Sequence, residues 1–202
     1  IYGILYYMEL QSREFTILLM VGLGAFIYVN FLRKSLNLDL VKAKTNNKEY
    51  YVRRLPDKQE AADKLGSMSI KLRDLIKHCE KKDTKKEEIE RLSKNFNAEI
   101  ITENIPGSRF VAYSVNKGDE LSICIREKQT ERFIDDNTVI FVAIHEMAHI
   151  MSKETGHPPE FWDNMKYLLE NAGEMGIYIP KDYSKEPVDY CGEEINSTPM
   201  DL

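Results

Sequence analysis

His145-Glu146-Met147-Ala148-His149, with Gly156-His157 close behind, is the stretch on which the reading of this chain turns. Three of the four histidines fall between positions 145 and 157. On a helix, positions i and i+4 share a face, so His145 and His149 can offer two imidazole nitrogens to one ion. Glu146 stands about 100° further round, able to reach a water at that ion without ligating it. A zinc hydrolase needs this arrangement.

The flanking residues put the motif on a buried helix. Asp135-Asp136-Asn137 supplies an N-cap, and Val139, Ile140, Phe141, Val142, Ala143, Ile144, Met147, Ala148, Ile150 and Met151 leave the helix apolar on most sides up to about Ser152. Imidazoles in such a core need partners, and a metal is a good one. A third ligand in the metzincin pattern is excluded, because Thr155 stands where its histidine belongs and Ser152 where its glycine belongs. His157 is the preferred third ligand, with Glu170 and Glu174 on the following helix as the alternatives.

Outward from the motif, the pattern is α+β. Pro56-Asp57-Lys58-Gln59-Glu60 reads as a capping box, opening an amphipathic helix over about 57–81. A charged helix follows from Asp83 or Thr84 through Phe96. Its lysines read as a solvated face laced by Glu87, Glu88 and Glu90 in preference to a nucleic-acid patch. Ser108–Val115 and Glu120–Arg126 are β-type runs joined by Asn116-Lys117-Gly118-Asp119, predicting a small antiparallel sheet. Pro158-Pro159 starts a last helix ending near Gly173, and short extended pieces are expected at Ile177–Ile179 and Val188–Tyr190. The domain is placed at 56–192 and an acidic tail at 193–202.

Before the domain, Phe15 to Leu32 carries no charge. That predicts a transmembrane helix over 15–34 behind an N-terminal extension, 1–14. A signal peptide fits less well, since a basic leading region and a small-x-small cleavage site are both missing. Residues 33–54 hold seven basic and two acidic side chains, so 35–55 reads as a basic tether near anionic lipid. By the positive-inside tendency the chain is single-pass, in a host or virion membrane if viral, with its C-terminal domain facing the cytosol. The Asn196-Ser197-Thr198 sequon would then be silent. Met8 is a candidate true start, which would make residues 1–7 an upstream extension.

Composition excludes other classes. A formal net charge of −5 and a pI near 5.5 argue against a protein working mainly by attraction to DNA or RNA. Cys79, Cys124 and Cys191 are odd in number, widely spaced and without a CxxC pair, so neither a disulfide framework nor a cysteine zinc finger is expected.

The run His145-Glu146-Met147-Ala148-His149, then Gly156-His157-Pro158-Pro159-Glu160-Phe161-Trp162, resembles the WLM and SprT-like zinc metallopeptidases. The block from Asn116-Lys117-Gly118 to Trp162 looks most like the WLM-type proteins of large DNA viruses, and the likeness extends over about residues 50–192. The resemblance implies a zincin fold, one Zn2+ and hydrolysis of peptide bonds in a protein or peptide substrate. Cellular members are associated with proteolysis of DNA–protein crosslinks. This chain departs from them in its expected anchor and in lacking a zinc finger or an evident nucleic-acid or SUMO-binding tail.

On this reading His145, His149 and His157 hold zinc and Glu146 is the general base. Tyr113, Tyr178, Tyr183 and Tyr190 are all eligible to stabilise the oxyanion. One strand of the hairpin could bind the peptide as an added strand. Glu160 is expected either to support a ligand histidine or to cap its helix, and Phe161 and Trp162 are expected in the core. The competing classes are a catalytically idle zinc-holding structural protein, which would not need Glu146, and a DNA-associated crosslink-type protease, which would want a basic face.

Overall fold

The computed structural model describes residues 15–25, 28, 37–82, 84–105, 108, 111–115 and 118–200. The chain divides into two units, Ile1–Leu38 and Asp39–Leu202. In the first, residues 15–25 form helix α1, whose Phe15, Ile17, Leu18, Leu19 and Met20 side chains are exposed.

The transmembrane expectation is corrected here. Among the described residues no helix is long and apolar enough to cross a membrane. Residues 26–27 and 29–34 of the expected span, and the extension 1–14, lie outside the described residues. The single-pass placement and its cytosol-facing orientation fall with that span.

From Leu38 onward the chain runs β1 (Leu38–Lys42), β2 (Glu49–Arg53), α2 (Lys58–Cys79), α3 (Lys86–Asn95), β3 (Ile101–Glu103), β4 (Ala112–Val115), β5 (Glu120–Ile123), α4 (Asp136–Met151), α5 (Pro159–Glu174), β6 (Val188–Tyr190) and β7 (Glu193–Ile195). Residues read as a tether therefore carry a paired sheet, β1-β2. Its basic side chains hid a buried set, Leu38, Ala43, Tyr50 and Val52. The central sheet is mixed, not purely antiparallel, with order β3-β5-β4. β4 is antiparallel to β5, whereas β3 runs parallel to it with Ile101 opposite Leu121. β3 escaped the sequence reading because its three residues, Ile101, Thr102 and Glu103, are all buried and show no alternation.

α2 packs on β2 and the turn before it. The approach requires Gly66, where a Cβ would lie 2.2 Å from Thr45 Oγ1 and 2.9 Å from Ala43 Cβ. Gly66→Val is expected to destabilise the domain by about 1–3 kcal/mol through overpacking. An unchanged melting temperature would show that helix and turn are not pressed together.

The start of α2 departs from the capping box. Asp57 is its N-cap residue but makes no side-chain cap hydrogen bond. Its carboxylate instead accepts from Arg126 Nη1 and Nη2 at 2.7 and 2.8 Å. Two parallel charge-assisted bonds to a guanidinium outweigh a single cap bond to an amide. α3 begins later than expected, at Lys86, after Lys85 in a left-handed conformation with φ 53°. One of the two positions expected to start it, Asp83, lies outside the described residues.

Cys124 and Cys191 are joined as a disulfide across 67 residues, against the expectation that spacing and odd number speak against disulfides. Cys124 follows β5 and Cys191 follows β6. Their pairing depends on where those strand ends meet, which spacing along the chain does not report. Only Cys79 is free, and it is buried.

Candidate metal centre and cleft

Helix α4 opens as the sequence predicts. Asp135 accepts hydrogen bonds from the Thr138 amide at 2.9 Å and the Thr138 hydroxyl at 3.0 Å. Nearly every later side chain is buried, including Ala143, Ile144, Met147, Ala148 and Ile150. His145 and His149 share the face that looks toward α5.

The segment between α4 and α5 brings the third imidazole back. Ser152 ends the helix, its hydroxyl donating to the Ala148 carbonyl at 2.8 Å and accepting from Asn164 Nδ2 at 3.0 Å. Asn164 Oδ1 accepts in turn from Lys85 Nζ at 3.0 Å. Ser152 and Asn164 are fully buried, so this relay fixes the α4 terminus against α5. Gly156 turns the chain at φ +83°, and Pro158 precedes the first residue of α5. The Glu160 carboxylate accepts from the Lys153 amide at 3.2 Å and lies 3.8 Å from Arg91 Nη1. Glu160 thus ties down the loop before His157, and no hydrogen bond to a histidine is among its contacts.

The three rings converge. His145 Nε2 lies 3.1 Å from His149 Nε2 and 3.2 Å from His157 Nε2, and the three residues' ligating atoms fall within 4.8 Å of one another. Nitrogens bound tetrahedrally at 2.0–2.1 Å from zinc sit about 3.3 Å apart, so the spacing fits one ion. Burial and the two neighbouring rings push the His145 imidazole down to about 3, which keeps it a neutral lone-pair donor. The Phe161 ring lies beneath all three imidazoles, with centroids 4.9, 4.4 and 4.5 Å away, and is fully buried. The sequence reading placed Phe161 in the core, and the structure adds that it is the floor of the triad.

The alternative ligands are elsewhere. Glu174 ends α5 and pairs with Lys82 Nζ at 2.6 Å and His78 Nε2 at 3.5 Å. Glu170 lies one turn before it. From the start of α5 that is about 15–20 Å along the axis.

Glu146 follows His145 on α4 and is itself buried. Its side chain is 9% exposed and accepts from the Ser114 amide, while burial pushes its carboxyl up to about 7. A dication at the triad would draw it back toward the carboxylate. Ser114 can donate because of its register. Cys124 N donates to Val111 O, so bonded pairs fall at Val111–Cys124 and Tyr113–Ser122. Ala112 and Ser114 alternate with them and turn their main chain away from β5. Among the described strands β4 is the outer one of its sheet.

A cleft of about 360 Å3 lies against this edge. His145 and Glu146 line it, with Val111 and Ala112 of the β4 side, Phe141 and Val142 of α4, Trp162 and Met165 of α5, and the β6–β7 hairpin. Trp162 is 38% exposed there and faces the His157 ring at 5.5 Å, so it is a cleft residue and not core packing.

The four tyrosines separate. Tyr178 and Tyr183 are buried against Phe141. Tyr113 sits on β4, outside the cleft lining. Tyr190 lines the cleft, and its hydroxyl donates to the Cys124 carbonyl at 2.6 Å. Burial and the nearby Glu146 carboxylate hold its phenol above the usual range.

Sequence reasoning missed the Ser114 amide, the Ser152–Asn164 relay, and Glu193, Glu194 and Ile195. The last three were assigned to an acidic tail, yet they form β7 and part of the cleft wall. Nothing local in Glu193-Glu194-Ile195 marks a strand, because its partner supplies the pairing.

His157→Ala is expected to weaken zinc binding by more than about a hundredfold, since even supporting residues of metal sites are worth about 10–100-fold. Metal titration of the variant tests this, and unchanged affinity would remove His157 from the ligand set.

The family model of the WLM domain matches residues 88–198. An uncharacterised protein of Acanthamoeba polyphaga mimivirus is 31% identical over 180 residues, covering 87% of this chain and 91% of that protein. An uncharacterised protein of Invertebrate iridescent virus 6 is 34% identical over 88 residues, 43% of this chain and 47% of that one. Among solved structures, Wss1 from Saccharomyces cerevisiae aligns with a TM-score of 0.47 at 17% identity, covering 62% of this chain and 89% of that chain.

Proposed function

The chain belongs to the WLM domain family, and on that premise we propose that it is a zinc-dependent endopeptidase with His145, His149 and His157 as ligands and Glu146 as general base. The observation that carries the reading is the convergence of three imidazoles, with His145 Nε2 3.1 and 3.2 Å from the other two, next to a buried carboxylate at the edge of a cleft that His145 and Glu146 line. A purely structural zinc prefers four protein ligands and has no use for Glu146.

Bound there, zinc supplies a Lewis acid that polarises the scissile carbonyl and acidifies water. The chain's own groups do the rest. Glu146 takes the proton from water and passes it to the leaving amine. The Ser114 amide steadies that carboxylate. The outward main chain at Ala112 and Ser114 offers an extended substrate the hydrogen bonds of an added strand. Tyr190 is the tyrosine best placed to assist at the oxyanion, by turning its hydroxyl from the Cys124 carbonyl.

The test is cleavage of a denatured protein mixture by the full chain, with peptide identification and metal analysis. Cleavage is expected to stop with a chelator and return with zinc. One bound metal with no cleavage of any substrate would favour the idle, structural reading.

A further inference from the structure

The β6–β7 hairpin forms one wall of the cleft through Tyr190, Glu193, Glu194 and Ile195. It is a two-stranded sheet, with Val188 paired to Ile195 and Tyr190 to Glu193, and among the described strands no third one joins it. A lone pair of strands is marginal in water, so its placement depends on what ties it to the body. Two ties end on one residue. Cys191, in the turn after β6, is disulfide-bonded to Cys124, and the Tyr190 hydroxyl donates to the Cys124 carbonyl. Cys124 in turn bonds through its amide to Val111, which lines the same cleft.

We propose that the Cys124–Cys191 cystine is a reversible redox site that sets the cleft wall, holding the enzyme in its competent form when oxidised. The inference rests on the peptidase reading. The bond spans residues 124–191 and so encloses the whole motif, yet it joins only the sheet end to the hairpin turn. A dithiol reductant would donate two electrons and two protons, breaking the S–S bond to two thiols while itself closing to a cyclic disulfide. Of the two half-cystines Cys124 is the more exposed, Cys191 being buried. Cys79 does not compete as a third thiol, being fully buried on α2, with burial pushing its pKa up to about 11. Loss of the cross-link frees Cys191 from its left-handed turn position at φ +56° and leaves Tyr190 as the remaining tie on Cys124.

The test uses the zinc-loaded full chain before and after a phosphine reductant, which supplies the same electrons without thiols that strip zinc. Hydrogen exchange is expected to rise about tenfold in residues 188–197 while α4 and the zinc content stay unchanged. Peptide cleavage, measured as kcat/KM, is expected to fall about tenfold through misplacement of the wall, and to return on reoxidation. Cys191→Ser should behave as the reduced protein and ignore reductant. If that variant does not fold, reduction of the wild type decides alone. Exchange at 188–197 that is indifferent to reductant, or that rises equally in α4, would overturn the proposal. Failure of the oxidised protein to cleave any peptide would instead remove the peptidase reading, and the exchange result would still judge the redox site.

Discussion

Glu146→Gln is expected to lower peptide hydrolysis about a thousandfold while zinc content stays the same, within the range for removing a general base. The substitution keeps the shape of the side chain, and a glutamine carbonyl can still accept from the Ser114 amide. The three imidazoles and Phe161 beneath them are untouched. What is lost is the ability to take a proton and hand it on. Glu146 is also buried, so no solvent carboxylate replaces it. The measurement is kcat with a cleaved peptide, alongside metal analysis of the same sample. Turnover close to wild type would remove Glu146 as the proton carrier, and loss of zinc would make it a positioning group for the triad.

Arg126→Ala is expected to cost about 3–5 kcal/mol of stability, the effect of breaking a buried ion pair from one side. Its side chain is 2% exposed and that of Glu103 1% exposed. Arg126 Nε donates to Glu103 Oε1 at 2.8 Å, while Nη1 and Nη2 grip Asp57 and the guanidinium lies 4.0 Å over the Phe133 ring. Glu103 Oε2 accepts from the Arg53 amide at 2.7 Å. Arg126 therefore links β3, the start of α2 and the exit of β5, and through Glu103 it reaches β2. Without it Glu103 is left buried with a single amide, a charge with no counterion. Thermal unfolding should shift down by about 10 °C, at roughly 2–4 °C per kcal/mol for a domain of this size. Pairing Arg126→Met with Glu103→Leu should recover most of the loss, since an apolar pair carries no desolvation penalty. A double variant as unstable as the single would mean that the network contributes through Asp57 and Phe133 instead.

The parts of the site legible in the sequence are those written in short-range periodicity. His145 and His149 meet because four residues make about one helical turn, and Asp135 caps that helix because its side chain reaches only to Thr138. The same logic located α2, α5 and the β4–β5 hairpin. It misled where a local pattern had two readings. The uncharged run at 15–32 has the composition of a membrane span, yet among the described residues no helix is long and apolar enough to cross one, and the basic stretch at 35–55 carries β1 and β2. The capping-box pattern at Asp57 was genuine as a helix start, but a buried guanidinium claimed the carboxylate.

By itself, then, the order of residues determined the motif helix, the α+β class and the identity of the family. Tertiary structure alone decided that His157 and not Glu174 joins the other two rings, that the Ser114 amide reaches Glu146, and that Cys124 finds Cys191. Each of these joins elements whose separation along the chain bears no relation to their distance in space. Helical and strand periods are set by backbone sterics within a few residues. Contacts between elements are set by how whole buried faces pack, and that packing is a property of the assembled core.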